Sequence, residues 1–449
     1  MSKRSYYGVA NAARRIKKIY IGVDGVARKV RKAYVGVNGV ARPFFTGGEV
    51  KYYGSITPLP YNASTGWPTA AADIANTYGI FVGGEIIPFK GEPNAYNDKC
   101  RSDAVAYSRN FTQIIPAKLP EPRASLMAVS VSDYAIFAGG YYIDILTNDT
   151  GIDGSIDIHS RFNAWAYNKA LTCITLPDIP EVDHPYLADV GNASYPTVSI
   201  ADHAIIARQD GQSVIYDKSL TQSLLGTFNI PIAQCGDFAK AGNLAILGSC
   251  YFNGKASTAV YALDENLTQY NAYEGFSEAR ISYGAASNLL HAIFVGGSTY
   301  NYYTDAYGEH WSRKYNQTYN VDAYDGSLTK VKAGDMLYPC AGIASATLGD
   351  YAVFAGIRGN EWEDRPWDVS SGARYIVKYD SELTCTHVVG STAYMNNPHK
   401  SGVSVCFADK MLLVGSADYS EAELTDAAFE NYTSTYTDTR KEVDVIILD

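Results

Sequence analysis

Residues 299 to 320 read TYNYYTDAYGEHWSRKYNQTYN, which sets Tyr302, Tyr303, Tyr307, His310 and Trp311 among Asp, Asn and Glu. A second string, EWEDRPWD at 361 to 368, supplies Trp362 and Trp367 beside Glu361, Glu363 and Asp364. Flat aromatic faces next to hydrogen-bonding groups suit a sugar or a protein surface. The rings give contact area at low entropic cost and the polar groups fix orientation. Packing of loop against loop is the alternative for any one of these rings, and their clustering favours binding. The acids of the second string read as a solvated loop rather than as a general acid and base.

Other chemistry is sparse. His310 has no second His at metal-ligand spacing, no G-x-S-x-G occurs, and no Ser, His and Asp stand in a triad-like grouping. Asn148 to Asp157, NDTGIDGSID, faintly resembles a calcium loop, but Gly151 stands where a side-chain oxygen is needed. No metal site and no cofactor is therefore expected. The seven cysteines include no C-x-x-C and lie mostly in strand-like text such as LTCITL, so they read as free, buried thiols.

The elements that would position the aromatic strings are visible as a long repeat. Short apolar strands, often ending in Gly, recur seven times: Tyr78 to Gly84, Tyr134 to Gly140, His203 to Arg208, Asn243 to Gly248, His291 to Gly297, Tyr351 to Gly356 and Lys410 to Gly415. Downstream of the first six comes a Tyr or Leu, a tight polar turn, a bulky apolar residue and Thr, as in Tyr216-DKS-Leu220-Thr221 and Tyr379-DSE-Leu383-Thr384. The six Thr residues, 112, 172, 221, 268, 329 and 384, are 60, 49, 47, 61 and 55 residues apart, a period typical of radial or solenoidal arrays.

Each unit then holds a small-residue-rich strand (SLMAVSV, GVSVCFA), the apolar strand, a connection of variable length, a Tyr-bearing strand and a Thr-bearing strand. Four antiparallel strands make the blade of a β-propeller. The seventh unit ends at Val443 to Asp449 without a Thr strand, and the missing one stands at the front, in Tyr52 to Pro58. Thr57 lies 55 residues before Thr112, in register with the period. The expectation is an all-β, seven-bladed propeller over residues 49–449, closed by an N-terminal strand.

The Gly-Gly after an apolar strand (Gly83-Gly84, Gly139-Gly140, Gly296-Gly297), the Tyr-Asp turn and Leu119-Pro-Glu-Pro-Arg123 leading into a small-residue strand resemble the kelch family of propellers. Blades 3 and 4 lack the double Gly, and the family's Trp is largely missing from its outer strand. The resemblance covers roughly residues 51–449 and speaks to fold, since this fold hosts many functions. Arg123 and Arg280 stand at related positions before inner strands, near the expected channel mouth. The resemblance implies acidic ligands for such arginines; capping of inter-blade carbonyls is the alternative.

In such a blade, the connections between second and third strands share a face with those between blades. Residues 85–103, 141–162, 298–317, 358–373 and 417–441 are long there, whereas blades 3 and 4 have almost none, and long loops on a rigid scaffold are where binding usually resides.

Ahead of the propeller, residues 1–48 hold three copies of a 14-residue repeat, marked by Tyr6, Tyr20 and Tyr34 and by Arg14, Arg28 and Arg42. Asp24-Gly25 and Asn38-Gly39 sit between β-formers, the strongest short hairpin signal. The chain as a whole carries a formal charge of −10, yet residues 1–50 hold 11 Lys and Arg against two acids, leaving 26 against 45 beyond. Such asymmetry argues for two units with different roles. Ordered strand alternation in the basic unit disfavours nucleic acid as its partner. So small a unit is expected to dock on something or to oligomerise.

The repeat core Y-[IV]-G-V-[DN]-G-V-A-R resembles short repeats at the front of structural proteins of bacteriophages and prophages. That resemblance implies a virion protein, tail or head fibre, anchored to other virion proteins through residues 1–48. The propeller would then display loops to a host-surface glycan or protein. A kelch-type epimerase or mutarotase acting through Arg123 and Arg280, and an intracellular protein-binding adaptor, are the alternatives; an enzyme is the less favoured class. No apolar run reaches the ~20 residues of a membrane span, and no signal peptide is apparent at the front.

Overall fold

The computed structural model describes residues 6–9, 12–15, 19–23, 26–30, 32–37, 40–46, 49–61, 69–84, 100–148, 151–180, 196–207, 212–225, 234–235, 237–248, 250–252, 255–280, 283–303, 312–337, 340, 343–357, 375–388, 403–407, 409–414 and 442–448. Among them there are strands and turns and no helix, and therefore no helix long and apolar enough to cross a membrane.

Seven four-stranded antiparallel sheets follow one another along the chain. Six are built in sequence order from the inner strand outwards, and neighbouring blades touch through their inner strands around a ring, the inner strand of blade 3 meeting the second strand of blade 4. The inner strands are Ala70–Ile74, Met127–Val131, Thr197–Ile200, Ala239–Ala241, Gly284–Ser287, Ala344–Leu348 and Val403–Phe407. This is the seven-bladed propeller expected from the Thr spacing.

The last blade is completed by the front of the chain. Its order is Val403–Phe407, Lys410–Val414, Val443–Leu448 and then Val50–Ile56, with Val443 opposite Ile56 and Leu448 opposite Val50. A bulge between Val445 and Ile446 is accommodated by Gly54 at φ +120°, a conformation glycine adopts without a Cβ penalty. Tyr52 Oη and Ser55 Oγ both donate to the buried carboxylate of Asp444, at 3.0 and 2.5 Å. Tyr53, in the bulge, lies against Phe111 of blade 1 with ring centroids 5.0 Å apart.

The polar turns of blades 1 to 6 use one device. Asp217 Oδ1 accepts the backbone N–H of Ser219 and Thr221, Asp264 those of Asn266 and Thr268, Asp325 those of Ser327 and Thr329, and Asp380 those of Glu382 and Thr384. Ser108 and Asn168 do the same in blades 1 and 2. The short acceptor side chain replaces backbone partners and so holds the turn.

It also holds a bulky residue in the left-handed region: Phe111, Leu171, Leu220, Leu267, Leu328 and Leu383 have φ between +58° and +63°. That conformation is costly for a branched side chain, and packing is what it serves. Leu171 packs into the apolar layer between blades 1 and 2, Leu220 into that between blades 2 and 3, Leu267 into that between 3 and 4, Leu328 into that between 4 and 5 and Leu383 into that between 5 and 6. Phe111 does so between blades 7 and 1, at the closing seam.

The Tyr of blades 1, 2, 5 and 6 adds a polar tie to the preceding blade, whereas Tyr216 Oη in blade 3 accepts from Gln222 Nε2 at 2.9 Å. Tyr107 Oη donates to Thr57 O at 2.8 Å, Tyr167 to Ala117 O at 2.8 Å, Tyr324 to Glu274 O at 3.1 Å and Tyr379 to Gly334 O at 3.1 Å. Burial pushes all four phenols well above their ordinary range. In blade 4 the position is Leu263, which is buried without such a tie.

The double glycines let the strand leading into the next blade approach. Gly84 N donates to Arg123 O at 2.8 Å and Gly297 N to Cys340 O at 2.6 Å. A Cβ on Gly140, whose φ is +79°, would stand 2.4 Å from Ala124 O.

Residues 6–46 form three two-stranded hairpins: Tyr6–Val9 with Ala12–Arg15, Ile19–Val23 with Val26–Val30, and Lys32–Val37 with Val40–Thr46. Val23 pairs with Val26 and Val37 with Val40, so Tyr20 and Arg28, and Tyr34 and Arg42, occupy the ladders. Asp24, Gly25, Asn38 and Gly39 lie outside the described residues.

Candidate functional site

The faces of the propeller follow from its pairings. Leu448 N donates to Asp409 O in the turn between the first two strands of blade 7, and Leu448 pairs with Val50. The chain therefore joins the propeller on the face of the first-to-second-strand turns. The second-to-third-strand connections, which hold the aromatic strings, leave from the opposite face.

Two of those connections are themselves β-hairpins: Tyr141–Asn148 with Gly151–Ser160, and Ser298–Tyr303 with Ser312–Gln317. Tyr302 pairs with Arg313 and Tyr303 with Ser312 at the far end of the second ladder. Tyr307, His310, Trp311, Trp362 and Trp367 lie outside the described residues. In the first hairpin Asn148 pairs with Gly151 and Asp144 with Asp157. The described residues of the stretch with the faint calcium-loop pattern thus lie in an extended ladder. Among the described residues no group of three or more His, Cys, Asp and Glu could hold a metal ion.

Blade 4 differs from the expectation of almost no elaboration. Cys250–Phe252 pairs with both Gln234–Cys235 and Lys255–Ala256 to form a small extra sheet, with Cys235 opposite Cys250. Its second pairing is announced by Asn253-Gly254, a hairpin dipeptide between Phe252 and Lys255.

Arg123 and Arg280 each stand four residues before an inner strand, as their spacing suggests, but at separate blade junctions. Arg123 is 1% exposed: Nη1 donates to Pro122 O at 2.8 Å, and Nη2 donates to Asn163 Oδ1 at 2.7 Å and to the Glu121 carboxylate. Its guanidinium lies 5.5 Å from the Trp165 ring centroid. Desolvation lowers its pKa and Glu121 opposes that shift.

Arg280 is fully buried, with Nη2 2.9 Å from Asp322 Oδ2 and 3.2 Å from Phe294 O, and its guanidinium 4.7 Å from the Phe276 ring centroid. Asp322, equally buried, also takes Lys330 Nζ at 2.8 Å and the Ser277 N–H at 3.0 Å. Desolvation lowers the Arg280 pKa, and the Asp322 charge is the largest effect opposing it. Nη1 and Nη2 of Arg123 and Nη2 of Arg280 are thus spent on protein groups within the blades; Arg280 caps a strand carbonyl and pairs with a carboxylate that the sequence did not single out.

The channel wall is made of other residues. Alternation along the inner strands buries Met127, Val129 and Val131 between blades and turns Ala128 and Ser130 inward. A space of about 190 Å³ opens there, bordered by Ala71, Asp73, Ser130, Thr197, Ser199 and Ser404 among others.

The hydroxyls stitch neighbouring inner strands. Thr197 Oγ1 donates to Ala128 O at 2.7 Å, Ser404 Oγ to Ser345 O at 3.2 Å, Ser130 Oγ accepts from Asp73 N at 3.1 Å, and Ser287 Oγ accepts from Lys240 N at 2.6 Å. Inner strands have no further sheet neighbour, so these bonds satisfy backbone groups that would otherwise be unpaired. Lys240 projects from the inner strand of blade 4; crowding by the ring desolvates it and lowers its pKa, and Asp73 pulls the other way.

No protein-family model matches the chain, and no curated protein does. Among solved structures it is similar to YjhT, at 13% identity and a TM-score of 0.45 over 74% of this chain and 99% of that one. It is also similar to virginiamycin B lyase from Staphylococcus aureus, at 8% identity and a TM-score of 0.48 over 89% and 99%. The propeller assignment rests on the strand pairings themselves.

Proposed function

We propose that this chain is a virion-associated structural protein of a bacteriophage, held to its particle by residues 1–48 and presenting a kelch-like propeller to a host-surface glycan or protein. The observation that carries the reading is the opposition of the two faces. The chain joins the propeller at Val50 beside the first-to-second-strand turns, and the elaborated connections leave the other face. An attachment unit on one side and a recognition surface on the other is the geometry a display protein requires. The repeat core of residues 20–42 and the basic charge of the front segment support the particle as the site of attachment. The aromatic strings support a sugar or protein surface as the ligand.

Deletion of residues 1–46 tests the reading. The shortened chain keeps Val50–Ile56 and is expected to fold as a closed propeller that no longer joins particles. Its appearance in purified particles at the level of the full chain would overturn the anchoring role.

A further inference from the structure

The outer rim between blades 4 and 5 carries a groove of about 660 Å³, away from the aromatic loop strings. One wall is the outer strand of blade 4 and the segment after it, with Tyr270, Asn271, Tyr273 and Glu274; the other is the polar turn and outer strand of blade 5, and Leu328 lies between. Tyr273 is completely exposed and Tyr270 44% exposed. The Tyr270 ring is held in place, because its hydroxyl donates to Asp264 Oδ2 at 3.0 Å. Two aromatic faces standing in water, one of them fixed, are contact area without an intramolecular use.

The polar groups around them are of a definite kind. Asn271 and Glu274 are exposed, and their side chains make no hydrogen bond to other described residues. Lys330 also borders the groove, but its ammonium turns inward, 2.8 Å from Asp322 Oδ1 and 2.8 Å from Gly275 O. Among the described lining residues the charge left facing the groove is therefore the negative one of Glu274, which repels anions. An amide and a carboxylate beside stacking rings match the hydroxyls and C–H faces of a pyranose.

We propose that this groove is a binding site for an uncharged oligosaccharide. It rests on the reading that the propeller recognises a surface glycan, and it gives that glycan a charge class and a second location, apart from the loop face.

The test is calorimetric titration of the full chain with neutral hexasaccharides of glucose, mannose, xylose and N-acetylglucosamine, and with sialyllactose as the anionic probe. At least one neutral probe is expected to bind. Tyr273→Ala should weaken it by about tenfold and Tyr273→Phe by less than about threefold, since stacking needs the ring and not the hydroxyl. Tyr273 is wholly exposed, so both variants should keep the thermal midpoint of the parent. Failure of every neutral probe, or preference for sialyllactose, overturns the proposal. Unchanged neutral-probe binding in Tyr273→Ala together with its loss in Trp362→Ala or Trp367→Ala also overturns the groove while leaving the glycan reading intact. Binding of a protein at the groove in place of any saccharide would likewise overturn it.

Discussion

Arg280 Nη2 and Asp322 Oδ2 stand 2.9 Å apart with neither side chain exposed to solvent. Such a pair gains little over a well-packed apolar substitute, because desolvation offsets most of its attraction, but losing one member strands the other. Arg280→Ala and Asp322→Ala should each destabilise the propeller by about 3–5 kcal/mol, whereas the double change Arg280→Met with Asp322→Leu should cost less than the sum of the two, its remaining cost being the Ser277 N–H and Lys330 Nζ that lose Asp322 as acceptor. Urea unfolding followed by tryptophan fluorescence gives the comparison. Loss of glycan binding in a stably folded double variant would instead place Arg280 in the recognition surface.

The tyrosine ties between blades can be removed one atom at a time. Tyr167→Phe and Tyr324→Phe keep the buried rings and lose the hydroxyls that reach Ala117 O and Glu274 O. Each is expected to cost about 1 kcal/mol, the ordinary net value of a hydrogen bond with some penalty for the carbonyl left behind. Blade 4, with Leu263 at this place, supplies the control: Leu263→Tyr should give no gain unless a carbonyl lies within reach. Chemical denaturation midpoints decide the matter.

Much of this fold could be read from the chain because its signals are local. The polar turn closes on its own Asp, Asn or Ser within five residues, so Thr221, Thr268 and Thr329 mark the blades without knowledge of any distant contact. Closure by Val50–Ile56 was legible for the same reason, as Thr57 keeps the period. What the chain concealed are pairings between distant residues. Val321-Asp322-Ala323 looks like a half-solvated strand, and nothing in it shows that Asp322 answers a guanidinium 42 residues upstream. The groove at Tyr270 and Tyr273 is equally silent, since QYNAYE reads as ordinary strand and turn until blade 5 stands opposite it.

Acid should act first through the polar turns. The carboxyls of Asp217 and Asp264 are held below their ordinary range, chiefly by the N–H of Thr221 and Thr268 respectively; in Asp325 desolvation raises the pKa, and hydrogen bonds led by Ser327 outweigh it. A carboxyl whose pKa is lower folded than unfolded stabilises the fold above the unfolded value, and that stability is lost as pH falls through the folded value. Stability should therefore decline below about pH 4. Asn at all three positions keeps an acceptor, as Asn168 does in blade 2, but cannot titrate. The triple Asp→Asn variant should show a flatter dependence of unfolding free energy on pH between about 5 and 2; an unchanged slope would remove the turns from the acid response.

The diglycine that admits the next blade allows no substitute at its second position. In Gly140→Ala the new Cβ meets a backbone carbonyl, Ala124 O, at 2.4 Å, and φ is +79°, so neither a rotamer change nor a flexible neighbour can relieve it. Backbone strain and steric displacement together should cost upwards of about 2 kcal/mol. The matching change at Gly242 is informative because its φ is similar, +60°, while its nearest neighbour is Gly326 Cα at 3.4 Å. Strain alone then remains, and Gly242→Ala should cost about 1 kcal/mol. If thermal melts of the two variants shift equally, the close approach of Ala124 contributes nothing, and the double glycine serves only to bend the chain.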